Sequence, residues 1–546
     1  MKNFVCKIAY QTLRILMSVF SVILVFTGIF AVSYCIDMTT QEVLFAPVYR
    51  LYGSYITGIS VGILLFLLVM LIIIRFAGTH YRAVKSAVLV LSSGWLILCG
   101  IALIIFGKTV PAADALSVYG ISEALSRGNV SVIDPVNSYI SYYPQQAGLV
   151  LFFELIFRLW NALHIPYPAY HIIKALYTVL AVLTMLIQFK CAELVLPESS
   201  KELSLFCPIF TALNLPFIMY TSFVYGEIPS LFFISLGLFF IIKFLDSAPD
   251  ASDGNQGKTL YFACSVISVA FAVFVRKNSL IPVIAILLAL ILTGMHRATV
   301  RVFILSAVIL ICSLSILPAS VKFLELRSKS SISSGVTALS YLAMGMQESS
   351  RAEGWYNGFN FETYKDTGLD TDMTNKISSA YISGRLKEFR TAPGYAALFY
   401  IHKYLSQWAD GTYASRQATL ADYGGRSPCF KELYSDTRPN SISMSYIIFC
   451  KLFQCVVFIG VAVICIKLFF TNNIFAAEGN AFIYRYPFIV CIPLIAAFGG
   501  FLFHMVWEAN SRYIFAYWCL ILPYGAIGCG RLIGIMLAAL RRKKDE

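Results

Sequence analysis

Apolar runs of roughly 20 residues recur along the whole chain, from Leu16 to Leu540. That length is what an α-helix needs to cross the hydrocarbon of a bilayer. A chain with one such run can bury it in a core, but a chain with about a dozen cannot cover them all with soluble protein. Backbone inside lipid must also satisfy its own hydrogen bonds, so the runs have to be helices. Of the 546 residues, 58% are hydrophobic and 13% charged, against roughly 25% charged in a soluble domain. A soluble enzyme, a DNA-binding domain, a disordered chain and a secreted disulfide scaffold are excluded.

Twelve spans are predicted, over 13–35, 54–75, 84–106, 168–189, 205–223, 227–246, 259–275, 278–295, 301–319, 443–469, 485–504 and 512–534. A thirteenth apolar stretch, 146–162, is interrupted by Glu154 and Arg158. Flanking charge arbitrates. Lys2, Lys7 and Arg14 at one end, and Arg541, Arg542, Lys543 and Lys544 at the other, place both termini in the cytoplasm by the positive-inside rule. Both ends inside requires an even number of crossings. Twelve crossings then leave 146–162 as a re-entrant or surface-lying helix. The basic clusters Arg75/Arg82/Lys85, Lys190/Lys201, Lys243/Lys258 and His296/Arg297/Arg301 all fall inside. The first run reads as a retained span, since no convincing small-x-small cleavage site follows it.

The expected fold class is therefore an all-α polytopic membrane protein of about 12–13 helices with a small external domain. Its parts are N-terminal transmembrane helices (1–106), a first extracytoplasmic loop with interfacial helices (107–167), a transmembrane core (168–319), an extracytoplasmic domain (320–442), and C-terminal helices with a basic tail (443–546). Within 320–442 the pattern predicts a helix at 376–389, a break at Pro393–Gly394 and an apolar stretch over 395–404. The net charge of +13, from 42 Lys+Arg and 29 Asp+Glu, is explained by basic span ends beside anionic lipid rather than by nucleic acid. Of 14 cysteines, most sit inside apolar runs and read as small hydrophobes. No CxxC pair or Cys/His spacing suits zinc.

Ionisable residues collect on the outer side. Asp114 follows Pro111 just beyond the third span. It either caps a helix over 115–127 or acts as a general base at the membrane face. Glu227, in Tyr225-Gly226-Glu227-Ile228-Pro229, either accepts from free helix N–H groups or serves function at membrane depth. Arg276-Lys277-Asn278 is a tight outer turn whose two cations oppose the positive-inside trend. They suit phosphate, or simply lipid headgroups. His504, Trp507, Glu508, Asn510, Ser511, Arg512 and Tyr513 crowd one short turn, which suits a sugar and its phosphate. The bland alternatives are an aromatic belt and an i,i+4 salt bridge.

Together these residues resemble a bacterial integral-membrane glycosyltransferase of the GT-C superfamily, near the dolichyl-phosphate-mannose–protein mannosyltransferase-like group. The residues that carry the resemblance are Asp114 in a loop after an early span, Tyr143-Pro144-Gln145-Gln146-x-Gly148, the Tyr225–Pro229 turn, Arg276-Lys277-Asn278 and Glu508-x-x-x-Arg512-Tyr513. It covers roughly 80–538, with two further spans before it. The resemblance implies inverting transfer of a sugar from a polyprenyl-phosphate donor, on the extracytoplasmic face of the plasma membrane, to a cell-envelope glycan, lipid or protein acceptor. It implies Asp114 as catalytic base. Arg276, Lys277, Arg512 and Tyr513 would bind the lipid phosphate. Glu123, Tyr142, Tyr143, Glu227, Trp507 and Glu508 would position acceptor or sugar. The other expected partners are membrane lipids.

Two departures stand out. The family often has an Asp-Glu pair in the first external loop, whereas Ala115 follows Asp114 here, so a second carboxylate has to come from elsewhere, with Glu123 the candidate. Related oligosaccharide transferases hold a divalent metal with Asp-x-Asp. That pattern is missing from the first loop and occurs only as Asp370-Thr371-Asp372. No essential metal or other cofactor is expected, and a divalent ion stays open. The competing class is a transporter or flippase of a polyprenyl-linked envelope intermediate, which would leave every glycosidic bond intact.

Overall fold

A computed structural model describes residues 2–37, 44–47, 49–247, 254–435, 441–470 and 482–545. The protein is an all-α polytopic membrane protein, apart from one short hairpin pairing Tyr34–Asp37 with Leu44–Pro47. Among the described residues, nine helices are long and apolar enough to cross a membrane. The bundle is assembled from α1 (Lys2–Ser33), α2 (Tyr49–Ala102), α3 (Asp114–Ser126), α4 (Ala147–Ala162), α5 (Ala169–Val195), α6 (Phe206–Leu213), α7 (Leu215–Tyr220), α8 (Glu227–Asp246), α9 (Gly254–Val275), α10 (Leu280–Arg297) and α11 (Val300–Ser328). It continues through α12 (Thr371–Thr391), α13 (Pro393–Trp408), α14 (Ser441–Phe470), α15 (Ile492–Val506) and α16 (Ser511–Asp545). The side chains of Arg541–Lys544, used above to orient the C-terminus, lie outside the described set.

The expected spans at 54–75 and 84–106 fall within one helical run, α2. A straight helix from Phe66 to Trp95 would separate them by about 43 Å. Yet Phe66 packs on Phe210 with ring centroids 5.7 Å apart, and the Trp95 indole N–H donates to the Ala212 carbonyl at 3.0 Å. The run therefore doubles back. Its bend lies at the end of the bundle where Tyr81 and Lys85 meet Glu193, near the C-terminus of α5. The second arm belongs to a stretch able to cross a membrane, Arg75–Gly107, and the first arm occupies the expected span at 54–75.

The expected span at 205–223 is broken at Asn214. Pro216 interrupts the helix, and the Asn214 side chain caps α7 by accepting from the Phe217 N–H. The broken segment still runs from one end of the bundle to the other. Phe206 lies against Gly530 near the end of α16, and the Tyr225 carbonyl accepts from the Tyr177 hydroxyl at the opposite end.

The 146–162 stretch is a 16-residue helix, α4, about 24 Å long. It lies at the end of the bundle where α9 and α11 finish. Gly148 sits against the Phe274 carbonyl, so close that a Cβ would lie 1.9 Å from the oxygen. Glu154 pairs with Arg158 at 2.8 Å and with Arg327 at 2.6 Å. Those partners explain charges that looked out of place in an apolar run.

The 329–435 segment covers the same end. Its predicted helix at 376–389 is α12, and the apolar stretch after Pro393 is α13. The segment is packed onto the bundle: Thr27 of α1 bonds Tyr404 at 2.6 Å, and Trp355 and Ala409 share a buried cluster with Ala31 and Ala509.

Candidate active site

Helix ends and turns that are distant in sequence converge at this covered end. Gly226 lets the 225–227 turn approach the end of α9; a Cβ there would lie 2.6 Å from the Val275 carbonyl oxygen. That approach brings Glu227, at the first position of α8, to Arg276. The two are 2.9 Å apart, and the Arg512 guanidinium lies 3.8 Å from the same carboxylate oxygen. The Glu227 side chain has no exposure, against 10% for Arg276 and 20% for Arg512. The triad carries two positive charges and one negative. Neither contact has hydrogen-bond alignment, so the buried carboxylate oxygens and the Arg276 and Arg512 nitrogens keep unused hydrogen-bonding capacity. Arg512 also lies 5.6 Å from the ring centroids of Phe223, Tyr225 and Tyr513.

Asp114 opens α3. The residue before it, Ala113, has φ +48° and ψ −128°, a conformation L-residues avoid and one that clusters at functional sites. The N-cap position falls on Ala113 and Asp114 is the first residue of the helix, so Asp114 does not take the capping position. It is half-buried, with no hydrogen-bond or ion-pair partner among the described residues. Its charge nonetheless contributes to raising the phenols of Tyr139, Tyr143, Tyr225, Tyr341 and Tyr356, where burial is the larger cause in each case. These hydroxyls therefore stay protonated and act as donors. Gln146 donates to the Tyr225 hydroxyl at 2.6 Å, which ties the Tyr143–Gly148 stretch to the Tyr225 turn.

A second carboxyl group, Glu508, lies within electrostatic reach of Asp114. It is 6% exposed. Burial pushes its carboxyl up to about 7; the Tyr513 hydroxyl, donating at 3.1 Å, and the Arg512 charge pull it down, and Asp114 adds to the rise. The turn that carries Glu508 is clamped by the covering segment. The Ala509 N–H donates to the Gly354 carbonyl at 2.8 Å, and Gly345 lies against the backbone of Val506 and Trp507. Lys403, fully buried, donates to the Gly345 carbonyl. Burial pushes its amine down to about 7, with Glu508 acting in the other direction.

The expected site residues thus divide. Asp114, Tyr143, Glu227, Arg276, Glu508, Arg512 and Tyr513 come together. Trp507 stacks on Tyr341 at 5.3 Å and Phe503 at 5.0 Å beside them. Glu227, read from the sequence as positioning acceptor or sugar, is instead sealed beneath the two arginines as their counter-ion. Glu123 does not join. Nine residues of helix separate it from Asp114, which turns it about 180° to the other face of α3, and there it pairs with Arg127 at 2.8 Å. Tyr142 packs on Phe361 of the covering segment, with ring centroids 4.8 Å apart. Lys277 is exposed beside the triad rather than within it. The Asp370–Asp372 pair does not fit a metal: Asp370 caps α12, accepting from the Asp372 and Met373 N–H groups at 2.8 and 3.0 Å. Among the described residues, no three His, Cys, Asp or Glu side chains are placed to hold one metal ion.

Tyr139, Tyr341, Tyr356, Arg351 and Lys403 belong to the cluster and were not singled out from the sequence. The last four lie in the covering segment, where nothing local marks them.

No family model matches the chain, and no curated protein does. Solved structures that resemble it include the archaeal oligosaccharyltransferase AglB from Archaeoglobus fulgidus in complex with an inhibitory peptide and a dolichol-phosphate, at 12% identity and a TM-score of 0.44, over 86% of this chain and 52% of that one. A second is the Archaeoglobus fulgidus oligosaccharyltransferase tethered with an acceptor peptide, at 12% identity and a TM-score of 0.43, over 83% and 50%. The chain spans about half the length of these structures. At these values the likeness carries no inference about activity, and the functional reading rests on the residues of this chain.

Proposed function

We propose that the protein transfers a sugar from a polyprenyl-phosphate-linked donor to a cell-envelope glycan, lipid or protein acceptor, with inversion, at the extracytoplasmic face of the plasma membrane. One observation carries the reading. An unpaired carboxylate, Asp114, stands within electrostatic reach of a buried Arg276–Glu227–Arg512 triad with one surplus positive charge.

The chemistry needs both parts. Asp114 takes the proton of the acceptor hydroxyl as its oxygen attacks the anomeric carbon. The bond from that carbon to the phosphate oxygen breaks, and its electron pair leaves with the phosphate. Negative charge grows on the phosphate, and preorganised cations stabilise it there. Arg512 has the better access of the two arginines, while Glu227 holds both guanidiniums in place. Inversion requires base and leaving group on opposite faces of the sugar. The protonated Tyr143 and Tyr225 hydroxyls and the Glu508 carboxyl supply donors for sugar hydroxyls between them.

The test is turnover of a panel of polyprenyl-phosphate sugars by purified protein in lipid. Asp114→Asn is expected to lower it by roughly 10²–10⁴-fold, the worth of a general base. Unchanged turnover in Asp114→Asn would remove Asp114 as base. Movement of labelled lipid across the bilayer without sugar transfer would replace this reading with a flippase.

A further inference from the structure

The other end of the bundle holds a second feature that the site does not use. Between α5, α8 and α16 lies a cavity of about 170 Å³. It is lined mainly by apolar side chains, among them Leu196, Leu238, Ile242, Ile489, Leu520 and Ile527. Along α16 it extends from Leu520 to Arg531, a length of about 16 Å. Gln188, on its wall, is already satisfied by Ser235 and by the Cys519 carbonyl, and Tyr524 by the Val490 carbonyl.

Arg531 is different. It lines the cavity at the end away from the active site, and its Nε is buried with no hydrogen-bond partner. Tyr484, on the cavity wall, and then Glu202 act on it electrostatically, with no ion-pair contact to either among the described residues. A largely apolar cleft of this kind, open on one side, suits an apolar guest with a polar group at its end. A buried guanidinium nitrogen without a partner is costly, and its planar fork matches phosphate.

We infer that this cavity is a binding site for an anionic phospholipid, with an acyl chain in the Leu520–Arg531 shaft and the headgroup phosphate on Arg531. On the orientation predicted from flanking charge, this end faces the cytoplasm, where anionic headgroups concentrate. The site is independent of the sugar-transfer reading, since it shares no residue with Asp114 and the triad.

Native mass spectrometry of the full-length protein in detergent tests the inference, with phosphatidylglycerol, phosphatidylcholine and a polyprenyl phosphate titrated separately. The wild type is expected to retain one phosphatidylglycerol and to hold phosphatidylcholine at least tenfold more weakly. Arg531→Ala should weaken phosphatidylglycerol by roughly 10- to 100-fold, the worth of a charge-assisted hydrogen bond. Arg531→Lys should retain part of the affinity. Leu238→Trp, which fills the shaft and leaves the charge, should also lose the lipid, and it serves if Arg531→Ala does not fold. Equal retention of the two phospholipids by the wild type would overturn the inference. So would undiminished phosphatidylglycerol binding in both Arg531→Ala and Leu238→Trp. Retention of the polyprenyl phosphate alone would overturn the phospholipid assignment and give the shaft to the donor lipid.

Discussion

Replacing Glu227 by Gln keeps the shape of the triad and removes its only negative charge. At an effective dielectric of about 20, contacts of 2.9 and 3.8 Å are worth roughly 6 and 4 kcal/mol of gross attraction. Most of that offsets the cost of taking three charges out of water. The net loss on breaking a buried pair is typically about 3–5 kcal/mol, because the remaining charge is left uncompensated. Here two guanidiniums are left, which argues for a large effect. The absence of hydrogen-bond alignment argues for the lower end, and we expect about 3 kcal/mol. The assay is thermal unfolding of the purified protein in lipid nanodiscs, with and without inorganic phosphate. Glu227→Gln should melt well below wild type. Phosphate should raise its melting temperature more than that of the wild type, because an anion that binds only the folded state stabilises it by mass action. Glu227→Gln combined with Arg276→Met should recover part of the loss, which a double-mutant cycle measures. A Glu227→Gln protein that melts with the wild type and ignores phosphate would refute the view that this carboxylate holds the arginines.

Three further outcomes are expected. Burial raises the Glu508 carboxyl to about 7, so its contribution to stability is fully present below its ordinary value near 4.5 and is lost as pH rises through 7. Unfolding measured from pH 5 to 8 should lose about 3 kcal/mol from this group, and Glu508→Gln should remove that slope. Gly226→Ala places a Cβ 2.6 Å from the Val275 carbonyl oxygen, so it should cost roughly 1–3 kcal/mol and reduce sugar transfer as the 225–227 turn moves off Arg276. Glu123→Gln breaks only an exposed i,i+4 pair, and both melting and turnover should match wild type within about 0.5 kcal/mol.

Much of the architecture was legible because a bilayer is an exacting solvent. Apolar length reports a crossing, and charge at span ends reports a side. The Arg75–Gly107 crossing was found this way although it continues an unbroken helical run from Tyr49, because lipid exposure follows residue type and not helix continuity. The Arg276–Lys277 turn and the Glu508–Arg512 turn stood out because polar groups are costly where they occur. The break at Asn214 within the fifth crossing was missed, since its cue, a capping Asn two residues before Pro216, is submerged in a long apolar run.

The sequence by itself determined a polytopic helical bundle and the set of ionisable residues gathered at one of its ends, since each follows from local transfer free energies. The tertiary structure alone decided how those residues are used. It sealed Glu227 beneath Arg276 and Arg512, because Gly226 admits the end of α9. It turned Glu123 away from Asp114 and brought in Glu508, some 390 residues further along the chain. It added Tyr341, Tyr356 and Lys403 from the covering segment. The reason is physical: a residue's hydropathy is a property of the residue, whereas a counter-ion is a property of two residues that only packing brings together.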